Sequence, residues 1–287
     1  MTEPRPRPEY VHDPLEAVTG VVRQPLTLAE RLTEAGWLRK GFILGMLALA
    51  WEIGARLLAD PLVLPTFSAT VAALWQSLSQ GDLLGGIWSS VRVLLVGYAL
   101  GVALAAVLTF VAISSRFGSE LLATVTSLLN PLPAIALVPI AMLWFGLGEA
   151  SLVFVLVHAV LWPVALSMHA GFAAVSPTLR MVGHNYGLRG PAYAARILVP
   201  AAFPSILSGL KVGWAFAWRT LIAAELVFGV ASGTGGLGWF IYEHKNNLDV
   251  PAMFAGLLCI SLIGLLVENL VFRPIEAATV RRWGMQA

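Results

Sequence analysis

The side chains best equipped for chemistry lie inside one long apolar run, residues 203 to 229. There Lys211, Trp214, Trp218, Arg219 and Glu225 supply an ammonium, two indole N–H groups, a guanidinium and a carboxylate. At ~100° per residue, Lys211, Trp214, Trp218, Ile222 and Glu225 fall within about a quarter of a helix circumference, with Arg219 beside them. Charges at membrane depth are costly, so this stripe must face other protein or a water-filled cavity. Two roles fit it equally: a salt-bridge network that holds helices together, or the lining of a path for a polar solute. Arg219, off the stripe, is the candidate for selecting a charge.

Other reactive groups are sparse. A phosphate-binding loop needs Gly-Lys followed by Ser or Thr, yet Lys40, Lys211 and Lys245 are followed by Gly41, Val212 and Asn246. An intramembrane serine protease needs Gly-x-Ser-Gly and a histidine in a later helix. Ser232 follows Val230 and Ala231, and the last apolar run has no histidine. Cys259 is the single cysteine, so neither an intrachain disulfide nor a metal site can be built on it alone. His158 and His169 are single histidines in an apolar run, read as hydrogen-bonded to neighbours rather than as proton carriers. The chain is therefore expected to be no enzyme, with no catalytic, cofactor-binding or metal-ligating set.

The elements that hold these residues follow from composition. With 58% hydrophobic and 12% charged residues, against roughly 25% charged in soluble domains, the chain reads as an all-α integral membrane protein. Apolar runs at 38–59, 86–113, 120–145, 150–175, 203–229 and 252–273 are each long enough for the ~20 residues that span a bilayer as a helix. With the N-terminus inside, thirteen of the 18 basic residues fall in cytoplasmic segments, whereas outer loops hold Lys245 alone. This places both termini in the cytoplasm, makes the net charge of +2 a mark of topology, and gives no support to nucleic-acid binding. Residues 1–37 divide into a Pro-rich tail over 1–24, expected to be disordered, and an interfacial elbow helix from Thr27 capped by Glu30. The polar 1–36 stretch lacks the pattern of a cleavable signal. Residues 82–273 form the core, and 274–287 a second tail.

Within these runs, Glu52 and Arg56 are spaced to pair on one helix face. A short helix is expected from Ser68 and another in the later part of the outer loop at 229–251, whose glycines permit a re-entrant turn. Gly97 and Gly101, four apart, suit close helix packing. Arg92 either snorkels or pairs with an acid. Pro131, Pro133 and Pro139 should kink or break the third run, as part of a gate.

Between the fourth and fifth runs, residues 176–204 carry Arg180, Arg189 and Arg196 and no acid. Pro177 and Pro191 suit first helical turns and Gly187 a helix end, so the segment reads as helix, tight turn, helix. Its tip, Asn185, Tyr186, Gly187, Leu188, Arg189, Gly190 and Pro191, presents apolar groups with no membrane to bury them, which calls for a protein partner.

This segment resembles the cytoplasmic loop of permease subunits in binding-protein-dependent ABC importers, whose signature is EAA, three residues, Gly, nine residues, Ile, any residue, Leu-Pro. Gly187, Ile197, Leu198, Val199 and Pro200 keep the spacing, with Val199 for leucine, while Met181, Val182 and Gly183 replace the EAA triplet. The run NPLPAIALVPIAMLWFG followed by GLGE resembles the nitrate, sulfonate, taurine and bicarbonate permeases. Glu225 matches a glutamate usual in similar permeases, and Lys211 stands where an arginine is common. The resemblance implies a type I ABC importer (MetI-like) transmembrane fold of six helices in the bacterial cytoplasmic (inner) membrane. It further implies an ABC ATPase dimer that binds the ATP and Mg and receives the 185–191 tip and Pro200, an extracytoplasmic substrate-binding protein, and a second permease copy in a homodimer within membrane lipid. The implied cargo is a small anion. A vitamin-type solute, riboflavin or a pyrimidine precursor, is the alternative, and an ion-coupled carrier acting alone is a further one, for which no internal repeat is found.

Overall fold

The computed structural model describes residues 36–232 and 235–282. The expected tail at 1–24 and most of the elbow helix lie outside the described residues. The chain divides into two compact units, residues 1–50 and 51–287. In the first, the described residues are the start of helix α1 (Gly36–Leu58). The second contains everything discussed below.

The end of α1 and helix α2 (Phe67–Gln80) are tied by polar groups that a lipid-facing helix could not leave bare. Trp51 donates its indole N–H to the Pro65 carbonyl at 2.9 Å. Glu52 pairs with Arg56 at 2.7 Å and accepts the Ser68 backbone N–H at 2.9 Å. The expected ion pair therefore also caps α2, where an anion suits the amide end of a helix.

Helix α3 (Asp82–Ser114) turns sharply at extended Ser115 into α4 (Arg116–Leu129). The Ser115 hydroxyl caps Gly118 N–H at 2.9 Å, and a Cβ on Gly118 would overlap the Val111 carbonyl. The third run then breaks. After α4, the chain continues as a 3₁₀ turn over Ala134–Leu137 and helix α5 (Val138–Phe145), bent by 82° from α4. Pro131 and Pro133 cause the break by removing two ladder donors on either side of Leu132, and Pro133 is itself extended. Pro139 does not kink anything: it sits in the first turn of α5, where a missing N–H costs nothing.

Helix α6 (Glu149–Ala173) packs against both α3 and α9 (Val199–Ser232), and the core fills with Leu94, Val160, Val164, Ala165, Ala217 and Leu221. The approach is set by glycine on both sides. Cβ atoms on Gly97 and Gly101 of α3 would lie 2.6 and 2.7 Å from the Cβ atoms of Leu156 and Val160. On the other side, Gly209 and Gly213 of α9 meet Ser167 and Val164 at 2.5 and 2.6 Å. Two glycine pairs, each four residues apart, thus let the backbones approach closely where apolar lipid gives no hydrophobic drive to associate.

Helix α7 (Pro177–Asn185) and the short α8 (Gly190–Tyr193) form a corner. From α8 the helix never ends: a π turn over Ala194–Leu198 leads into α9. Helix α10 (Leu237–Asn246) follows, then α11 (Val250–Val267). The sixth run was expected to stop at Arg273 and Pro274. Instead a second π turn, Glu268–Phe272, precedes α12 (Arg273–Glu276) and helical chain continues to Arg281. Pro200 and Pro274 share one solution. Each follows a turn closed by a wide bond, Val199 N–H to the Ala194 carbonyl and Arg273 N–H to the Glu268 carbonyl. Widening the turn moves aside the carbonyl that a proline ring would otherwise strike.

Among the described residues, five helices are long and apolar enough to span a membrane, and six if the bent pair counts as one. That agrees with the six runs expected. Replacing Gly101 with leucine forces new atoms against Val160. The expected cost is ~1–3 kcal/mol of overpacking, seen as a lower unfolding temperature of the purified chain in detergent; an unchanged temperature would contradict the seam.

Candidate functional site

The corner at 177–193 is built to be rigid and exposed. Ser176 caps α7 by accepting Leu179 N–H, and Pro177 occupies the first turn. At the other end, Gly187 has φ of +71°, Gly187 N–H bonds to the His184 carbonyl at 2.9 Å, and Leu188 N–H bonds to the Gly183 carbonyl at 3.0 Å. That pair of bonds is the Schellman ending, which glycine permits at no steric cost. Gly190, with φ of +54°, makes the second bend before Pro191 starts α8. Arg180 reaches back to the carbonyls of Phe172 and Val175, closing the end of α6 with positive charge.

The replacement of the expected EAA triplet has a steric reason at its third position. A Cβ on Gly183 already falls 2.8 Å from the Tyr193 ring and 3.0 Å from Ile197, and Tyr193 stacks on His184 at 4.9 Å. Glycine there lets an aromatic lock α7 onto α8. At the tip, Tyr186 is 82% exposed, Met181 and Val182 are exposed beside it, and Asn185, Gly187, Arg189, Gly190 and Pro191 are exposed as expected. Leu188 is half-buried, and Pro200 lies in the first turn of α9 rather than at the tip.

The charged stripe of α9 is turned into the subunit. Lys211 bonds to Glu276 at 2.6 Å and lies 3.5 Å from Glu268, which fastens α9 to the C-terminal helices. Trp214 sits edge-on to Tyr98 at 5.3 Å and near Phe272, and Trp218 is buried in the core. Glu225 is 5% exposed; Ser90 donates to both of its oxygens at 2.6 and 2.8 Å, and Gly238 N–H donates at 2.8 Å. Leu237 N–H in turn donates to the Ser90 hydroxyl. The carboxylate thereby caps α10 from a different helix, and a Cβ on Gly236 would overlap it. Of the two roles open to the stripe, Lys211 and Glu225 are engaged in the internal network.

Arg219 is different. It is exposed, donates to the Ala215 carbonyl one turn back at 3.1 Å, lies over the Phe216 ring at 5.1 Å, and has no acidic partner among the described residues. Arg92 pairs with Glu149 at 3.4 Å, both exposed. Pro131, Pro133 and Pro139 are all exposed along the break between α4 and α5. His158 has the Leu129 carbonyl as a polar neighbour, and His169 Nδ1 has no hydrogen-bond partner among the described residues. Ser90, Gly236, Glu268 and Glu276 were not singled out from sequence. Their only signal was the residual need of Glu225 and Lys211 for partners far along the chain. No group of three or more potential metal ligands occurs among the described residues.

Comparison with known proteins gives these features a setting. The family described as binding-protein-dependent transport system inner membrane component matches residues 97–273. A putative ABC transporter permease of Methanocaldococcus jannaschii is 30% identical over 76% of this chain and 82% of its own length. The taurine transport system permease protein TauC of Escherichia coli is 28% identical over 79% of this chain and 83% of its own. The nitrate import permease protein NrtB of a Synechocystis strain is 28% identical over 64% and 66%. Among solved structures, an amino acid ABC transporter crystallised with histidines superposes with a TM-score of 0.55 at 16% identity, over 73% of this chain and 98% of that one; this likeness concerns the fold.

The Glu225 clamp can be checked directly. Ser90→Ala strips two bonds from the carboxylate and leaves the Leu237 N–H unmet. The expected loss is ~1–3 kcal/mol, read as a lower unfolding temperature with earlier proteolysis near residue 236. Wild-type behaviour in both measurements would show that α10 is held by other contacts.

Proposed function

The chain belongs to the family of inner membrane components of binding-protein-dependent transport systems and is a multi-pass ABC importer permease, and we propose that it forms the path by which a small anion crosses the membrane under the drive of a separate ATPase. The observation that carries this reading is the α7–α8 corner: a rigid, apolar-tipped projection continuous through one helix with the membrane core. The chain has no phosphate-binding loop of its own, so force must enter from outside.

In this reading the corner docks on the ATPase in the cytoplasm, the side on which the basic residues concentrate. Burying Tyr186 alone would contribute ~1.5–3 kcal/mol to that contact. When the ATPase closes on ATP, the corner moves, and α9 carries the displacement into the core without a hinge loop. A receptor outside the membrane delivers the solute. A second copy of this chain completes the pore, because the exposed faces of α4, α5 and α9 need a partner or lipid. Taurine, aliphatic sulfonates and nitrate are named for the relatives, and we assign the cargo to that class. Arg219, the exposed cation of α9, supplies the positive charge along the path. Lys211, Trp214, Trp218 and Glu225 serve it by holding α9 in place, and Pro131 and Pro133 give the third span a jointed, gate-like segment.

The assay is uptake by proteoliposomes that hold the chain with its ATPase and receptor. ATP should drive accumulation of taurine, a sulfonate or nitrate; accumulation by the chain alone under an ion gradient would refute the reading, and selective uptake of riboflavin would move the cargo class. Tyr186→Ala should leave the unfolding temperature unchanged and reduce ATPase coupling at least tenfold. Retention of full coupling in that variant would remove the corner from the mechanism.

A further inference from the structure

The break in the third span encloses a cavity of about 160 Å³, and its lining includes Asn130, Pro133, His158, Trp162, Phe216 and Thr220. Counting along α6 at ~1.5 Å per residue, His158 and Trp162 lie near the middle of that span, each more than ten ångströms from either helix end. Trp162 is 4% exposed and its indole N–H has no acceptor. His158, half-buried beside it, has the carbonyl of Leu129, the last residue before the break, as its one polar neighbour among the described residues. The two rings meet edge to face at 6.0 Å.

Leaving a buried N–H unmet costs ~1–3 kcal/mol, and hydrocarbon offers no water to make up the loss. The Trp162 N–H is such a donor, and a polar occupant of the cavity would meet it. The cavity has room for about five waters at ~30 Å³ each, or for a solute of a few heavy atoms. Its lining holds no aspartate or glutamate. The Trp162 indole can only donate, and His158 in either neutral form and the Thr220 hydroxyl can donate as well. Thr220 adjoins Arg219, whose exposed guanidinium lies over the ring of Phe216, another residue of the lining. Pro163, also in the lining, denies the Ala159 carbonyl its usual helical donor. That leaves one acceptor for a solute with an N–H beside its anionic head.

We propose that this mid-span cavity at the third-span break, with the Trp162 N–H, His158 and Thr220 as donors, is a binding site for a small oxyanion such as a sulfonate. The proposal rests on the permease reading above and deepens it by locating the solute. It also gives the break a purpose: the absence of helix at 130–133 is what opens room beside α6.

Two experiments separate this site from that reading. In the complete transporter, His158→Gln and Thr220→Val, each close to the original in shape, should raise the KM for taurine at least fivefold with unfolding temperature unchanged; Trp162→Phe should do the same where it folds. In the full chain alone, reconstituted in nanodiscs, Thr220→Cys adds a second thiol, while Cys259 is buried. An anionic methanethiosulfonate should modify it at least threefold faster than a cationic one, and taurine should slow that reaction. If the wild-type transporter moves taurine but the variants keep its KM and the thiol is unprotected, the site is wrong and the function stands. An unreactive thiol, or equal rates with both reagents, overturns the site as well. Charge-selective, taurine-protected labelling in a protein that no ATPase can drive would uphold the site and remove the importer reading.

Discussion

In hydrocarbon a backbone amide has no water to turn to, and every structural choice in this chain answers to that constraint. Most of the described chain is helical because helices satisfy their own amides. Most of the prolines named here stand where that accounting still closes, whereas Pro163 and Pro204 lie inside α6 and α9. Pro139, Pro177 and Pro191 stand in first turns, Pro200 and Pro274 follow π turns, and Pro131 and Pro133 sit where the helix has been given up altogether. The same constraint governs side chains. Glu225 is stable at depth because a hydroxyl and an amide reach it, and Lys211 because two carboxylates do.

A rigid centre follows from how the helices approach. Glycines on α3 and α9 bring both backbones close to α6, so the three pack without long side chains between them. Close-packed interiors transmit displacement rather than absorb it. The unbroken course from α8 through the π turn into α9 attaches the exposed corner to this centre, and the Lys211 ion pairs fasten the C-terminal helices to the same element. A push at Tyr186 is thus delivered to α9 and its neighbours as a unit. By contrast, the segment between α4 and α5 is jointed, and the cavity with the unmet Trp162 N–H lies beside that joint. Rigid transmission and a local joint are the two properties an alternating path requires.

How the polar residues of α9 divide is instructive. A stripe of costly side chains is consistent with a wet path or with a dry network, and the stripe alone weighs both equally. Here the dry network takes Lys211, Trp214, Trp218 and Glu225, while Arg219, one step round the helix, keeps its guanidinium exposed. The unmatched cation is therefore the one outside the stripe. An internal partner sets a charge aside for structure, and among the described residues Arg219 has no acidic one.

The amino-acid order by itself determined the membrane class, six apolar runs, the helix-turn-helix corner with its glycine end, the close packing at Gly97 and Gly101, and the family resemblance. These depend on hydropathy, on φ preferences and on spacing, all of which are local. Only tertiary structure decided which acid meets Lys211, that Glu225 caps a helix beginning at Leu237 with help from Ser90, that Gly209 and Gly213 mirror the first glycine pair, and that the sixth helix passes through Pro274. It alone brought His158 and Trp162 up to the break made by Pro131 and Pro133. The reason is physical: a partner tens of residues distant is chosen by how three helices pack, and no periodicity within one helix encodes what the next will place against it.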